Sequence, residues 1–244
     1  MNVAVILAGG IGSRVGADIP KQFVEVFGKP IIVYTIEAFE NHPEIDAVEI
    51  VCVEPQIDYM KELVQKYNLS KVNWITKGGK DFQHSVINGI YNLEDKISNN
   101  DIVLVHWAAS PFVTGDIISD GIRVAKEKGN AISSQPCYLL YGSNEGDKST
   151  KWIDRDSIIE MGAPQCFSYK YIKELFDEAI EKDLIDKVEP HTTTLMYLMN
   201  REIYFSKGSH TNIKITTRED IDFFKAYICG TMCMEKEVIF HAKN

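Results

Sequence analysis

The chain has 244 residues, enough to bury a sizeable core, and reads as one domain over residues 1–244. Asp and Glu number 35 against 26 Lys and Arg, a net charge of -9, so the surface as a whole repels polyanions and nucleic acid is not expected as a partner. No apolar run is long enough to cross a bilayer, and the short N-terminal one lacks the basic flank of a secretion signal, so neither membrane nor export is expected.

Asn2–Leu7 reads as a buried strand that runs straight into Ala8-Gly9-Gly10-Ile11-Gly12-Ser13-Arg14, with Pro20-Lys21-Gln22-Phe23 beyond. Glycines let the backbone turn tightly and bring bare N–H groups against an anion. Glycines alone would also fit a plain turn between strand and helix. Arg14 and Lys21 add two positive charges, and a triphosphate is the simplest ligand that needs all of these features. A Walker loop is excluded because Ser13-Arg14 follows Gly12, and Gly10, Gly12 and Gly16 miss the dinucleotide spacing.

Further along, Ala47–Val53 reads as a strand, Gln56–Tyr67 as an amphipathic helix and Lys71–Ile75 as a short strand. Gly78-Gly79 precedes a helix around Gln83–Leu93. Ile102–His106 is a strand, Ile117–Lys128 a helix and Ala131–Ser134 another strand. This alternation predicts an α/β fold, a mostly parallel sheet with helices on both faces. Its ligand belongs at the C-terminal strand ends, where Gly9–Arg14, Gly78-Gly79 and His106–Pro111 converge. The rhythm breaks between Pro136 and Pro164. There Cys137–Tyr141 and Thr150–Asp154 flank a polar turn and predict a β-hairpin arm whose exposed aromatics need a partner surface. Helices at Tyr169–Lys182 and Thr193–Asn200, a strand at Glu202–Ser206, an alternating strand at Asn212–Thr216 and a helix near Arg218–Cys229 complete the chain.

The five cysteines, at 52, 137, 166, 229 and 233, form no CxxC pair, and an odd number cannot all pair within one chain. A reduced cytoplasmic compartment fits. Cys229 and Cys233 with His241 match no closed zinc pattern and read as buried structural thiols.

Over nearly its full length the chain resembles the cytidylyltransferases that activate polyol phosphates with CTP, acting on 2-C-methylerythritol 4-phosphate or ribitol 5-phosphate. The likeness is carried by Leu7–Arg14, Pro20–Phe23, Gly78-Gly79 with Ser85-Val86, Val103–His106, Ala108-Ala109, Pro111-Phe112, Pro164-Gln165 and Asn212–Thr216. It implies a Rossmann-like fold, Mg²⁺ as cofactor, and a homodimer that exchanges the 137–159 arm. It further implies isoprenoid or wall and capsule synthesis, with CTP and a small polyol phosphate as substrates. By the same resemblance Arg14, Lys21 and Lys214 are catalytic cations, and Ala8, Gly9, Gly10 and Gly12 wrap the CTP phosphates. Gly79, Lys80 and Ser85 match positions that face cytosine and ribose. Arg155 on the arm, Trp107 and Thr192 fall on the acceptor side.

Competing readings stay open for several of these. Lys214 also fits an outward-facing strand residue, Arg155 a surface ion pair with Asp154 or Asp156, and Ser85 a residue that starts a helix. The chain departs from the family pattern at Trp107-Ala108-Ala109-Ser110, where relatives carry Asp-Ala-Ala-Arg, and at Phe82, where they carry arginine. It departs again at His191–Thr194, where an acidic segment is usual, and at Ala163 in place of threonine. Tryptophan cannot bind a hard cation, so protein ligands for the metal are left unassigned. Trp107 fits either a stacking surface for a substrate or a core residue at a strand end. The departures favour a changed acceptor pocket; a catalytically weak nucleotide-binding regulatory homologue is the alternative.

Overall fold

The computed structural model describes residues 1–10 and 19–241, with side chains described as far as Thr231. The first half of the chain forms β1 (Asn2–Ala8), β2 (Glu25–Val26), β3 (Lys29–Pro30), α1 (Ile31–Glu40), β4 (Ala47–Cys52), α2 (Ile57–Lys66), β5 (Val72–Lys77), α3 (Phe82–Asn92) and β6 (Ile102–Trp107). The second half forms α4 (Gly115–Lys128), β7 (Asn130–Pro136), β8 (Tyr141–Gly142), β9 (Trp152–Ile153), β10 (Ile159–Ser168), α5 (Tyr169–Glu181), α6 (Thr192–Leu198), β11 (Phe205–Lys207) and α7 (Arg218–His241).

Seven strands make one sheet in the order β11-β7-β10-β6-β1-β4-β5. The pairs among β5, β4, β1 and β6 are parallel, as is β11 with β7, and β10 runs antiparallel to both its neighbours. All seven residues of β1 are buried. Its alternate side chains enter two cores. Ala4, Ile6 and Ala8 pack with α1, α2 and α4, while Val3, Val5 and Leu7 pack with α3, α5 and α6. A strand covered on both faces has no polar side to show, which is why it reads as a continuous apolar run. The chain leaves β1 toward β4 and β5 and returns to β6 on β1's other side. That reversal makes a crevice at the strands' C-terminal ends.

Two elements went unpredicted, and two expected strands are corrected. Residues 31–40 form α1, which periodicity did not reveal because six of its ten residues are buried and no polar stripe marks one face. Ile159–Ser168 is a ten-residue strand; a register shift between Met161 and Gln165 accommodates Pro164. The strand expected at Glu202–Ser206 is the three-residue β11 at Phe205–Lys207. Asn212–Thr216 is not a strand of the sheet: Ile213 and Ile215 turn into a separate small core with Phe112 and Phe224. Of the cysteines, Cys52, Cys137 and Cys166 are free and buried, but Cys229 is exposed, contrary to its reading as a core thiol. The side chains of Cys233 and His241 lie outside the described set.

Glu49 of β4 is wholly buried. The Thr76 hydroxyl at 2.5 Å and the Asn92 amide at 2.8 Å both donate to its Oε1, while Oε2 has no partner among the described residues. Burial pushes its carboxyl up to about 7, and the two hydrogen bonds offset only part of that. A carboxyl raised above its unfolded value stabilises the fold fully below the unfolded pKa and loses that stabilisation as pH rises through the folded one. Glu49→Gln is therefore expected to gain on the parent by about 3 kcal/mol more at pH 8 than near pH 4.5, read from urea unfolding at both. A pH-independent difference would contradict this.

Candidate active site

A cavity of about 580 Å³ opens at the C-terminal ends of β1, β4, β5 and β6, within the roughly 300–1,000 Å³ usual for small-molecule sites. Each wall is the first residues beyond a strand. Gly9 and Gly10 follow β1, Val53 follows β4, Gly79–Phe82 follow β5, and Trp107–Ala109 end β6. Lys21 and Gln22 come from a short helical turn, Lys21–Phe23; Lys214 and Thr216 come from the segment before α7.

Gln22 holds the start of the glycine loop. It is buried, and its side-chain amide donates to the carbonyls of Ala8 at 2.8 Å and Gly10 at 3.0 Å. Ala8 itself is buried and does not line the cavity, so it shapes the loop through that carbonyl. At Gly10 a Cβ would meet no described protein atom within 4 Å, so protein packing does not explain the glycine there. Gly12 and Arg14 lie outside the described residues.

The turn after β5 is built tightly. A Cβ on Gly79 would stand 2.3 Å from the Cβ of His84 and 2.7 Å from its carbonyl carbon, so only glycine fits. The Gly79 N–H donates to Ser85 Oγ at 3.0 Å, and that hydroxyl donates to the Asp81 carbonyl at 2.8 Å. Ser85 thus ties the turn to α3 and lines the cavity. It is not the residue that caps the helix. Asp81 is, accepting from the His84 N–H at 2.9 Å and lying 2.8 Å from His84 Nδ1. Partial burial pushes the Asp81 carboxyl up, but the hydrogen bonds from His84 outweigh it and hold the group below the usual carboxylate range. Phe82 stands on the cavity wall with its ring 5.0 Å from His191, so this wall is aromatic at position 82.

Beyond β6, Ala108 N–H donates to the Leu7 carbonyl at 3.0 Å, locking the rim of β6 to that of β1. His106 is fully buried and its Nε2 lies 2.9 Å from the Ser110 carbonyl. Burial lowers its pKa to about 4, so it is neutral at physiological pH, donates there, and fixes the 107–110 turn. Trp107 is half-buried and lines the cavity, and Lys214 Nζ sits 4.6 Å from its ring centroid. Ile215 N–H donates to the Ala109 carbonyl at 2.8 Å, which brings the 212–216 segment to this rim and gives Lys214 its place.

Lys80 also lines the cavity and pairs with Asp186 at 2.9 Å. Arg155 is not brought to the cavity. It is exposed on the arm, donates to the Tyr138 carbonyl at 3.2 Å, and stands 4.0 Å from Asp156. Thr192 is buried at the start of α6 with its hydroxyl unpartnered among the described residues, and does not line the cavity. Gln22, Asp81, Phe82 and Thr216 had no assigned role in sequence; for Gln22 the signal was its place in Pro20–Phe23.

Among the described residues one group of ligand atoms is compact enough to share a metal ion. Asp81, His84 and Asp186 place theirs within 4.8 Å of one another. Asp81 is already engaged by His84 and Asp186 by Lys80, and of the carboxylates only Asp81 is among the described lining residues. These residues do not form a protein cage for Mg²⁺, which needs several oxygen ligands in near-octahedral array.

On the arm, β8 and β9 pair antiparallel, leaving Leu140 94% and Trp152 79% exposed, with Tyr138, Leu139 and Ile153 also on the surface. No helix among the described residues is long and apolar enough to cross a membrane.

Residues 2–229 match the family described as IspD, 2-C-methyl-D-erythritol 4-phosphate cytidylyltransferase. The ribitol-5-phosphate cytidylyltransferase of Lacticaseibacillus paracasei is 39% identical over 229 residues, covering 93% of this chain and 98% of that one. The 2-C-methyl-D-erythritol 4-phosphate cytidylyltransferase of Clostridium perfringens is 38% identical over 220 residues, 90% of this chain and 95% of its own. The crystal structure of the Francisella tularensis 2-C-methyl-D-erythritol 4-phosphate cytidylyltransferase superposes with a TM-score of 0.73 at 29% identity, covering 91% of this chain and 97% of that one.

Proposed function

The chain belongs to the 2-C-methyl-D-erythritol 4-phosphate cytidylyltransferase family, so it is an enzyme that transfers CMP from CTP to a polyol phosphate, and we propose that its acceptor is ribitol 5-phosphate. The observation that carries the site assignment is one cavity, at the sheet's switch point, that gathers the glycine turn, Lys21 and Lys214. Two things support the acceptor. A relative of that name aligns over 98% of its length, and Trp107, Ser110 and the Thr192–Thr194 segment depart from the family pattern where an acceptor is expected.

In our reading an oxygen of the acceptor's phosphate attacks the α-phosphorus of CTP, and the bond from that phosphorus to the bridging oxygen breaks. Pyrophosphate leaves, and a CDP-linked polyol remains. A phosphate monoester is largely dianionic at neutral pH, so the nucleophile needs no protein base. That agrees with a neutral, buried His106. Catalysis is then alignment and charge stabilisation. Backbone N–H groups of Gly9, Gly10 and Gly12 cradle the triphosphate; Lys21, Lys214 and Arg14 offset charge on the transferring phosphate and the leaving pyrophosphate. Gly79, Lys80 and Ser85 face the nucleoside, with Phe82 on the same wall. Thr192, buried and off the cavity lining, is assigned to the acceptor side.

Mg²⁺ is expected to arrive on the triphosphate, with water completing its shell and no protein cage required. Activity should vanish in excess EDTA and return with added Mg²⁺, assayed by pyrophosphate release; full activity in EDTA would contradict a metal requirement. The 137–159 arm is expected to join two copies, its exposed rings lying across the partner. Free buried thiols and a CTP substrate support a cytoplasmic setting for this reading. A pyrophosphate-release assay with CTP and a panel of polyol phosphates tests the acceptor. Ribitol 5-phosphate should give the highest kcat/KM, and a preference for 2-C-methylerythritol 4-phosphate would overturn the choice.

A further inference from the structure

The geometry points to His210 as a positioning residue that ties the segment carrying Lys214 to the root of the arm. The inference rests on the transfer proposed above. After β11 ends at Lys207, residues 208–216 belong to no helix or strand, so their course is set by the ties they make. Three of those ties reach the root of the arm, where Ile159 of β10 pairs with Pro136 of β7. Gly208 lies so close to the backbone of Ser134 that a Cβ would stand 2.6 Å from its carbonyl oxygen. The Asn212 amide donates to the Ala163 carbonyl at 2.7 Å. Between them the His210 ring packs on Tyr138, the centroids 4.7 Å apart, with Nδ1 3.7 Å from a Glu160 carboxylate oxygen.

Further along, the same segment meets the cavity. Ile215 N–H donates to the Ala109 carbonyl at 2.8 Å, and Lys214 beside it lines the cavity wall. Lys214 follows His210 by only four positions, so a shift at the arm's root reaches it over a short stretch of backbone. Of the three ties, the one at His210 touches the arm itself. Tyr138 stands just beyond β7, and its carbonyl accepts from Arg155 on the arm's returning leg at 3.2 Å, so both legs meet under the imidazole. His210 and Glu160 are both exposed, and an exposed ion pair contributes little; the ring contact carries the tie. Phosphoryl transfer depends on alignment, and a misplaced cation costs rate even where the nucleotide still binds.

The test combines kinetics with a signal independent of turnover. His210→Ala leaves the arm's own residues intact and is expected to lower kcat by about 2- to 12-fold, the loss of one ring contact, with a smaller change in KM for CTP. His210→Phe, which keeps a ring for Tyr138 and gives up Glu160, should restore most of it. Because the two rings act as one tie, Tyr138→Ala placed on His210→Ala should cost little beyond His210→Ala alone. Lys214 Nζ stands 4.6 Å from the Trp107 ring centroid, so the indole N–H of Trp107 reports where that ammonium lies. In the ¹⁵N-labelled protein, His210→Ala should move the Trp107 resonance while that of Trp74, on β5, stays in place. An unmoved Trp107 resonance, or effects that multiply in the double variant, would overturn the proposal. If the parent turns over no polyol phosphate, the transfer fails as the function; the resonance still decides the tie.

Discussion

Lys21→Ala and Lys214→Ala are each expected to lower kcat by about two to four orders of magnitude, the range for removing a charge contact to a transferring phosphoryl group. Both side chains line the cavity but are fixed by different parts of the chain. Lys21 opens the helical turn whose next residue, Gln22, grips the carbonyls of Ala8 and Gly10, so its position is tied to the glycine turn. Lys214 is fixed by the burial of Ile215 and by its hydrogen bond to Ala109. Both side chains lie at the cavity and outside the described hydrophobic cores, so circular dichroism and unfolding midpoints should stay near those of the parent. Steady-state pyrophosphate release decides it, and a kcat near normal in either variant removes that lysine from the mechanism.

The second large effect concerns the arm. Leu140, Trp152, Leu139 and Tyr138 together expose more contiguous apolar surface than a free hairpin keeps in water without a partner. In a two-fold dimer each arm lies on the other copy, and Arg155, away from its own cavity, becomes available to the partner's acceptor phosphate as a forked donor. Arg155→Ala and Lys21→Ala should then each be inactive alone. Mixed and allowed to exchange subunits, they should recover about a quarter of parental activity, since half the dimers are mixed and each holds one intact site. Verified mixed dimers without recovered activity, or a monomer by sedimentation, would exclude shared sites.

Much of this site was legible because its signals are local. A buried strand, a glycine turn and a nearby lysine are adjacent in sequence, and the cavity walls are the residues just past β1, β5 and β6. What escaped depends on distant partners. Gln22 acts on backbone carbonyls more than ten residues away, and no side-chain pattern announces that. Asn212–Thr216 alternates like a strand, yet Ile213 and Ile215 face a small core with Phe112 and Phe224 and not a neighbouring strand. Helix α1 is apolar on most sides and so shows no stripe. Trp107 fitted two roles in sequence; only the folded chain sets Lys214 over its ring.

The most direct measurement follows the α-phosphorus itself. CTP labelled at that position is incubated with Mg²⁺, ribitol 5-phosphate and the purified protein, and the products are separated and weighed by mass spectrometry. The mechanism predicts that the label passes into a CDP-linked pentitol, matched mole for mole by unlabelled pyrophosphate, with no label left covalently on the protein. Label that remains in CTP across a full panel of polyol phosphates, while calorimetry shows the nucleotide bound, would contradict catalysis and leave a nucleotide-binding homologue.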